Sequence, residues 1–172
     1  MILSNNRRAP ALRVFPYDRR AAVAYARKWA LGRNPAYYDF SDLGGDCTNF
    51  ASQSVFAGAG VMNYTPTFGW YYISPDRRAP AWTGVEYIYN FLTSNKGAGP
   101  FAREVGWTDA LPGDLVQLGD EAGDFYHTPV ITAIYPTILV CAHSDDALDR
   151  PLASYDFARV RFVHIDGVRE PR

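Results

Sequence analysis

Apolar positions recur at helical spacing in three stretches of the first hundred residues. Ala22, Tyr25, Ala26 and Trp29 form one stripe. Asp18 stands before it as an N-cap, which predicts a helix from Arg19 to about Leu31 that Gly32 and Pro35 stop. Cys47, Phe50, Ala51, Ser54 and Val55 form a second stripe, with Asp46 as its cap and Gly58 or Gly60 as its end. The third passes through Val85, Ile88 and Phe91-Leu92 to about Asn95, opened by the capping-box spacing of Thr83 and Glu86. Further on, the pattern changes to short runs rich in β-branched and aromatic residues, and strands are predicted near 114–118, 125–135, 138–143 and 158–165. Pro136-Thr137 is a tight turn that makes the middle two a hairpin, and Pro129, lacking an N–H, predicts an edge or bulge. Helices first and antiparallel strands later predict an α+β domain with the cysteine helix packed on the sheet.

The remaining segments divide simply. Residues 1–16 read as an irregular arm and residues 17–172 as a single domain, long enough to bury a core. Residues 61–82 carry Tyr64, Phe68, Trp70, Tyr71, Tyr72 and Trp82 among prolines: an aromatic loop that walls a groove or covers a core edge. The net charge is −1 with acids and bases interspersed, which argues against a nucleic-acid partner. No apolar run is long enough to span a membrane. Met1-Ile2-Leu3 followed by Asn5-Asn6-Arg7-Arg8 is not a signal-peptide pattern, so a cytoplasmic site is the default expectation.

Candidate chemistry centres on Gly44-Gly45-Asp46-Cys47-Thr48-Asn49-Phe50. A cysteine in the first turn of a helix faces unpaired N–H groups and the positive end of the helix dipole. Both favour thiolate over thiol, so Cys47 is expected to be a low-pKa nucleophile, its backbone N–H able to hold an oxyanion. Such a thiolate needs an imidazole. His127 and His143 lie at the outer ends of the two hairpin strands, where they can be neighbours, whereas His164 fits a plain alternating strand. The expectation is His127 beside the Cys47 sulfur with His143 behind it, and Asp145 as the alternative third residue. Cys141 shares a strand face with His143 and reads as a buried thiol. A zinc site of Cys47, Cys141, His127 and His143 has suitable ligand types, but its spacings match none of the close-paired ligand motifs. No metal or cofactor is expected.

The segments WALGRNPAY (29–37), GGDCTNFASQ (44–53), AWTGVEYIYNFL (81–92), PGDLVQL (112–118) and the two histidine strands occur in an order that resembles the bacterial putative amidase domain family. That family belongs to the papain-like superfamily, which includes the cell-wall cysteine endopeptidases. The resemblance implies a papain-like core and amide hydrolysis, with Cys47 as nucleophile, His127 as base and His143 as the third polar residue. It also implies that Asp46 and Thr48 meet the substrate's free amine, and that the substrates are peptidoglycan fragments or similar peptides and amides; Tyr38 is a further candidate, with Asp46, to receive such an amine. A transferase that passes the acyl group to an amine, and a non-catalytic binding module, are the rival readings.

Overall fold

The computed structural model describes residues 10–172, and the first nine residues of the expected arm lie outside this description. The architecture is α+β: helices pack on one face of an antiparallel sheet. In chain order the elements are β1 (Leu12–Phe15), α1 (Arg19–Trp29), α2 (Cys47–Ala59), β2 (Tyr72–Ser74), β3 (Arg77–Arg78), α3 (Pro80–Thr83) and α4 (Val85–Ser94). There follow β4 (Gly99–Val105), β5 (Leu115–Gly119), β6 (Phe125–His127), β7 (Val130–Ala133), β8 (Leu139–Ala142), β9 (Ala147–Pro151) and β10 (Arg159–Pro171). The main sheet runs β1-β10-β5-β7-β8-β9, with β4 also pairing β10 and β6 also pairing β5.

α2 is the centre of the fold. It carries little amphipathic contrast and is buried along almost its whole length, as a helix enclosed on all sides must be. Phe50, Ala51 and Val55 join Leu115, Val130, Cys141, Val163 and Ile165 of the sheet in one core cluster. Trp70 and Trp82 close the far side, their rings 4.8 Å apart. Ser52 of α2 accepts from Trp70 Nε1 at 3.0 Å and donates to the Trp82 carbonyl at 2.9 Å, and Asn49 Oδ1 accepts from Trp82 Nε1 at 3.0 Å. The polar positions of α2 thus hold the aromatic loop, which covers the core. Gly58 lets the chain before α1 cross closely: a Cβ there would lie 2.5 Å from the Tyr17 ring and 2.6 Å from the Asp18 carbonyl. The opposite face of the sheet carries a smaller cluster of Val116, Leu118, Ile131, Val140, Leu152 and Phe162.

Several expectations are revised. Within the expected arm, Leu12–Phe15 is a strand because β10 offers it an edge, from Leu12 opposite Pro171 to Phe15 opposite Val168. The capping box at Thr83 does not form: Thr83 ends α3, its hydroxyl accepts from Arg78 Nε at 3.1 Å, and Gly84 precedes α4. The strand predicted over 125–135 is split into β6 and β7 around Thr128-Pro129, as a proline without an N–H requires. β4 and β9 were not predicted. Asp18 does cap α1, accepting from Ala21 N–H at 2.9 Å. No helix among the described residues is long and apolar enough to cross a membrane.

Candidate functional site

α2 begins at Cys47 after Gly44 and Gly45, whose φ values of 91° and 108° turn the chain into Asp46. Asp46 was expected either to cap the helix or to receive a substrate amine. It stands at the N-cap position, but its side chain makes no capping hydrogen bond, and its 1%-exposed carboxylate is engaged by other partners. Oδ1 accepts from the Phe40 N–H and from Asn49 Nδ2, both at 2.8 Å, and Oδ2 lies 2.5 Å from His143 Nδ1.

His143 is equally enclosed. Its Nε2 lies 2.8 Å from the Trp29 carbonyl, and its ring stacks on Phe50 with centroids 4.1 Å apart. Arg33 closes the cluster from outside, with Nη1 3.2 Å from His143 Nε2 and 2.9 Å from Asp146 Oδ2. His143 therefore ties the start of α2 to the end of α1. It makes no contact that would orient His127, which corrects the arrangement expected from the hairpin.

The hairpin itself forms, and its register explains the separation. Val130 lies opposite Cys141, so alternation places Thr128 and His143 on the face that α2 covers. His127 lies opposite Leu118 of the second cluster, and its ring is 5.7 Å from that of Tyr155, which packs against the same cluster. The two histidines share one end of the hairpin but project from opposite faces. Burial lowers the His127 pKa to about 4, and the charges of Asp145 and Arg150 act on it in opposite senses. The ring is thus neutral at pH 7, and its nitrogens accept or donate no hydrogen bond among the described residues. Of the two candidates for a third residue, Asp145 is the one whose charge reaches His127.

Cys47 is 7% exposed. Burial raises its pKa, outweighing the Thr128 backbone N–H and the Thr48 hydroxyl, which lower it. The expected low-pKa thiolate is thus corrected: the helix start supplies the donors, but enclosure favours the thiol. Thr48, expected to meet substrate, is 1% exposed and lies between the Cys47 sulfur and Thr128. Tyr38 is 44% exposed at the edge of this region. Its N–H donates to Tyr72 Oη and its carbonyl accepts from Asn49 Nδ2, both at 2.9 Å, while its ring meets Phe40 edge-on.

The other titratable residues fall elsewhere. Cys141 is fully buried against Asp149, and His164 is held by Asp114 at 2.8 Å. The four residues weighed as zinc ligands do not converge, and among the described residues no group of three or more His, Cys, Asp or Glu is arranged to hold a metal. Sequence reasoning missed Thr128, Gln117 and Arg33. Only period-two alternation counted back from Val130 could have pointed Thr128, rather than His127, at α2.

The fold and this cluster describe an α+β domain with a cysteine at a buried helix start next to a histidine-bearing strand, the residue set of a hydrolase candidate. Residues 16–165 match the family described as putative amidase domain, and the chain belongs to that family. Membership points to amide hydrolysis. YhbB, an uncharacterized protein of Bacillus subtilis (strain 168), is 36% identical over 124 residues, covering 70% of this chain and 39% of YhbB. The chain spans about two fifths of that relative's length. No solved structure matches.

Proposed function

We propose that this chain hydrolyses an amide bond through a thioester on Cys47, with His127 carrying the proton, as in papain-like enzymes. The observation that supports it most is the Thr128 backbone N–H acting on the Cys47 sulfur. It brings the strand that carries His127 up to the nucleophile. Burial holds both groups neutral at pH 7, the thiol with its pKa raised and the imidazole with its pKa lowered to about 4. The proton then moves during attack rather than before it. Sγ bonds to the carbonyl carbon as its proton passes to a His127 ring nitrogen, and the Cys47 backbone N–H faces the resulting oxyanion. Collapse breaks the C–N bond, and the amine leaves with the His127 proton. Water then gives a proton to His127 and attacks the thioester, releasing a carboxylic acid and restoring the thiol. In the free chain the His127 ring lies with Leu118 and Tyr155 on the other face of the strand, so this proton transfer requires the ring to turn toward the Cys47 sulfur when substrate binds.

The family resemblance suggests bacterial wall peptides as substrates, with the exposed Tyr38 ring at the entrance to the site. Purified protein incubated with peptidoglycan fragments should release new free amines. Cys47→Ala and His127→Gln should abolish the release, and Cys141→Ser should retain it. Full activity in Cys47→Ala would overturn the assignment.

A further inference from the structure

A chain of buried side chains runs from the Cys47 sulfur to the surface of the sheet. Thr48 Oγ1 lies 3.8 Å from Cys47 Sγ and 3.2 Å from Thr128 Oγ1. Gln117 Nε2 donates to Thr128 Oγ1 at 3.2 Å and to the Val85 carbonyl at 2.8 Å. Gln117 Oε1 in turn accepts from Arg161 Nε at 2.8 Å, and Arg161 Nη2 pairs with Glu86 Oε1 at 2.9 Å. Thr48, Thr128 and Gln117 are at most 1% exposed. The Arg161 guanidinium is held between the Tyr89 ring at 3.5 Å and the Phe125 ring at 3.8 Å.

The chemistry of the outer end sets the direction of the bonds as far as Thr128. A guanidinium only donates, so the Gln117 oxygen must face Arg161 and its amide N–H groups must face inward. Thr128 Oγ1 therefore accepts from Gln117, which leaves its own hydrogen free to turn toward Thr48. Thr48 Oγ1, accepting in its turn, has its hydrogen left for the sulfur. We infer that Arg161, Gln117, Thr128 and Thr48 form a one-way donor relay that positions Cys47 and supports negative charge on its sulfur as the thiolate forms. The relay rests on Cys47 being the reacting group proposed above. It opposes the burial that favours the thiol, and aligned hydrogen bonds in a water-excluded interior polarise one another. These are positioning residues: of the four side chains, only that of Thr48 touches the sulfur.

The test reads the thiol directly and needs no substrate. Iodoacetamide labelling of Cys47 is followed against pH by peptide mass spectrometry in the wild-type chain and in Thr48→Val, Thr128→Val, Thr128→Ser and Gln117→Glu. Thr48→Val removes the donor to sulfur and should slow labelling at pH 7 about fivefold, with the midpoint of the pH profile moved upward. Thr128→Val should move the midpoint the same way by less, and Thr128→Ser, which keeps the hydroxyl, should restore it. In Gln117→Glu both carboxylate oxygens accept, so Thr128 turns its hydrogen outward and the midpoint should again rise although the pair with Arg161 survives. A purely structural role would change labelling rates without moving the midpoint. Midpoints that coincide with wild type in variants folded by circular dichroism would overturn the relay. Absence of amide cleavage by the wild type, with the midpoints shifted as expected, would instead overturn the hydrolase reading alone.

Discussion

His127 should make the protein acid-sensitive in a way one substitution removes. Burial lowers its pKa from 6.5 to about 4 in the folded chain. The unfolded chain takes up a proton near the ordinary value, and the folded chain does not until near pH 4. Between those limits the unfolded state binds more protons, so stability rises with pH through the window. The contribution is complete above pH 6.5 and is lost as the pH falls toward 4. Each pH unit within the window changes stability by about 1.4 kcal/mol, and the whole window by on the order of 3 kcal/mol. Since the side chain is buried, solvent screening reduces this little. His127→Gln keeps size and polarity but does not titrate. Urea unfolding at several pH values between 7 and 4.5, on both proteins, isolates the histidine from the carboxylates common to them. The variant should lose less stability on acidification, with the difference growing below pH 6.5. Superimposable pH dependences, or an NMR titration of His127 near 6.5, would refute the buried neutral imidazole and with it the proton-transfer scheme.

Three further outcomes follow from the geometry. Asp46→Asn should cost only about 1–2 kcal/mol in urea unfolding, because the amide oxygen still accepts from Phe40 and Asn49 while its Nδ2 donates to a His143 that keeps a proton on Nε2 for the Trp29 carbonyl. Asp46→Leu should cost about 3–5 kcal/mol, since it strips His143 of its buried partner and orphans the two donors; equal losses in the two variants would show that the pairing is unimportant. Ser52→Ala leaves Trp70 Nε1 without its acceptor and should cost about 1–3 kcal/mol, read as a lower urea midpoint with an unchanged slope. Gly58→Ala drives a methyl into Tyr17 and the Asp18 carbonyl and should cost about 1–3 kcal/mol; a neutral result would mean that the crossing of α1 and α2 is looser than the distances state.

What could be read from the sequence depended on whether the deciding partner was local. Asp18 caps α1 because its oxygen finds an N–H three residues on, a relation that spacing reveals. Asp46 has the same helix-start signature, yet its carboxylate is spent on Phe40, Asn49 and His143, and nothing near it in the chain announces the last of these. β1 and β9 were unreadable for a similar reason: their residues become strands only when β10 and β8 present an edge. The cysteine helix and the histidine hairpin were legible because periodicity and turn chemistry act within a dozen residues. The histidines' relation to each other was not. It depends on Val130 meeting Cys141, and a shift by one residue would put them on the same face. The buried Gln117, which fixes the polarity of the polar chain, looks in sequence like any polar residue in a strand.

β10 pairs with β1, β4 and β5, and Arg13 on β1 meets Glu170 on β10, 157 positions further along the chain. On a ribosome, α1 and α2 can associate as soon as they emerge, but the sheet face that encloses α2 is contributed by strands made much later. Until those strands emerge, the nascent chain therefore carries a largely apolar helix with no cover, and the Cys47 thiol that the finished fold encloses stands open to oxidants. Closing pairs this distant in sequence is slow. The interval between emergence of α2 and docking of β10 is thus when aggregation and thiol damage compete with folding, and the last stretch of β10 decides when it ends.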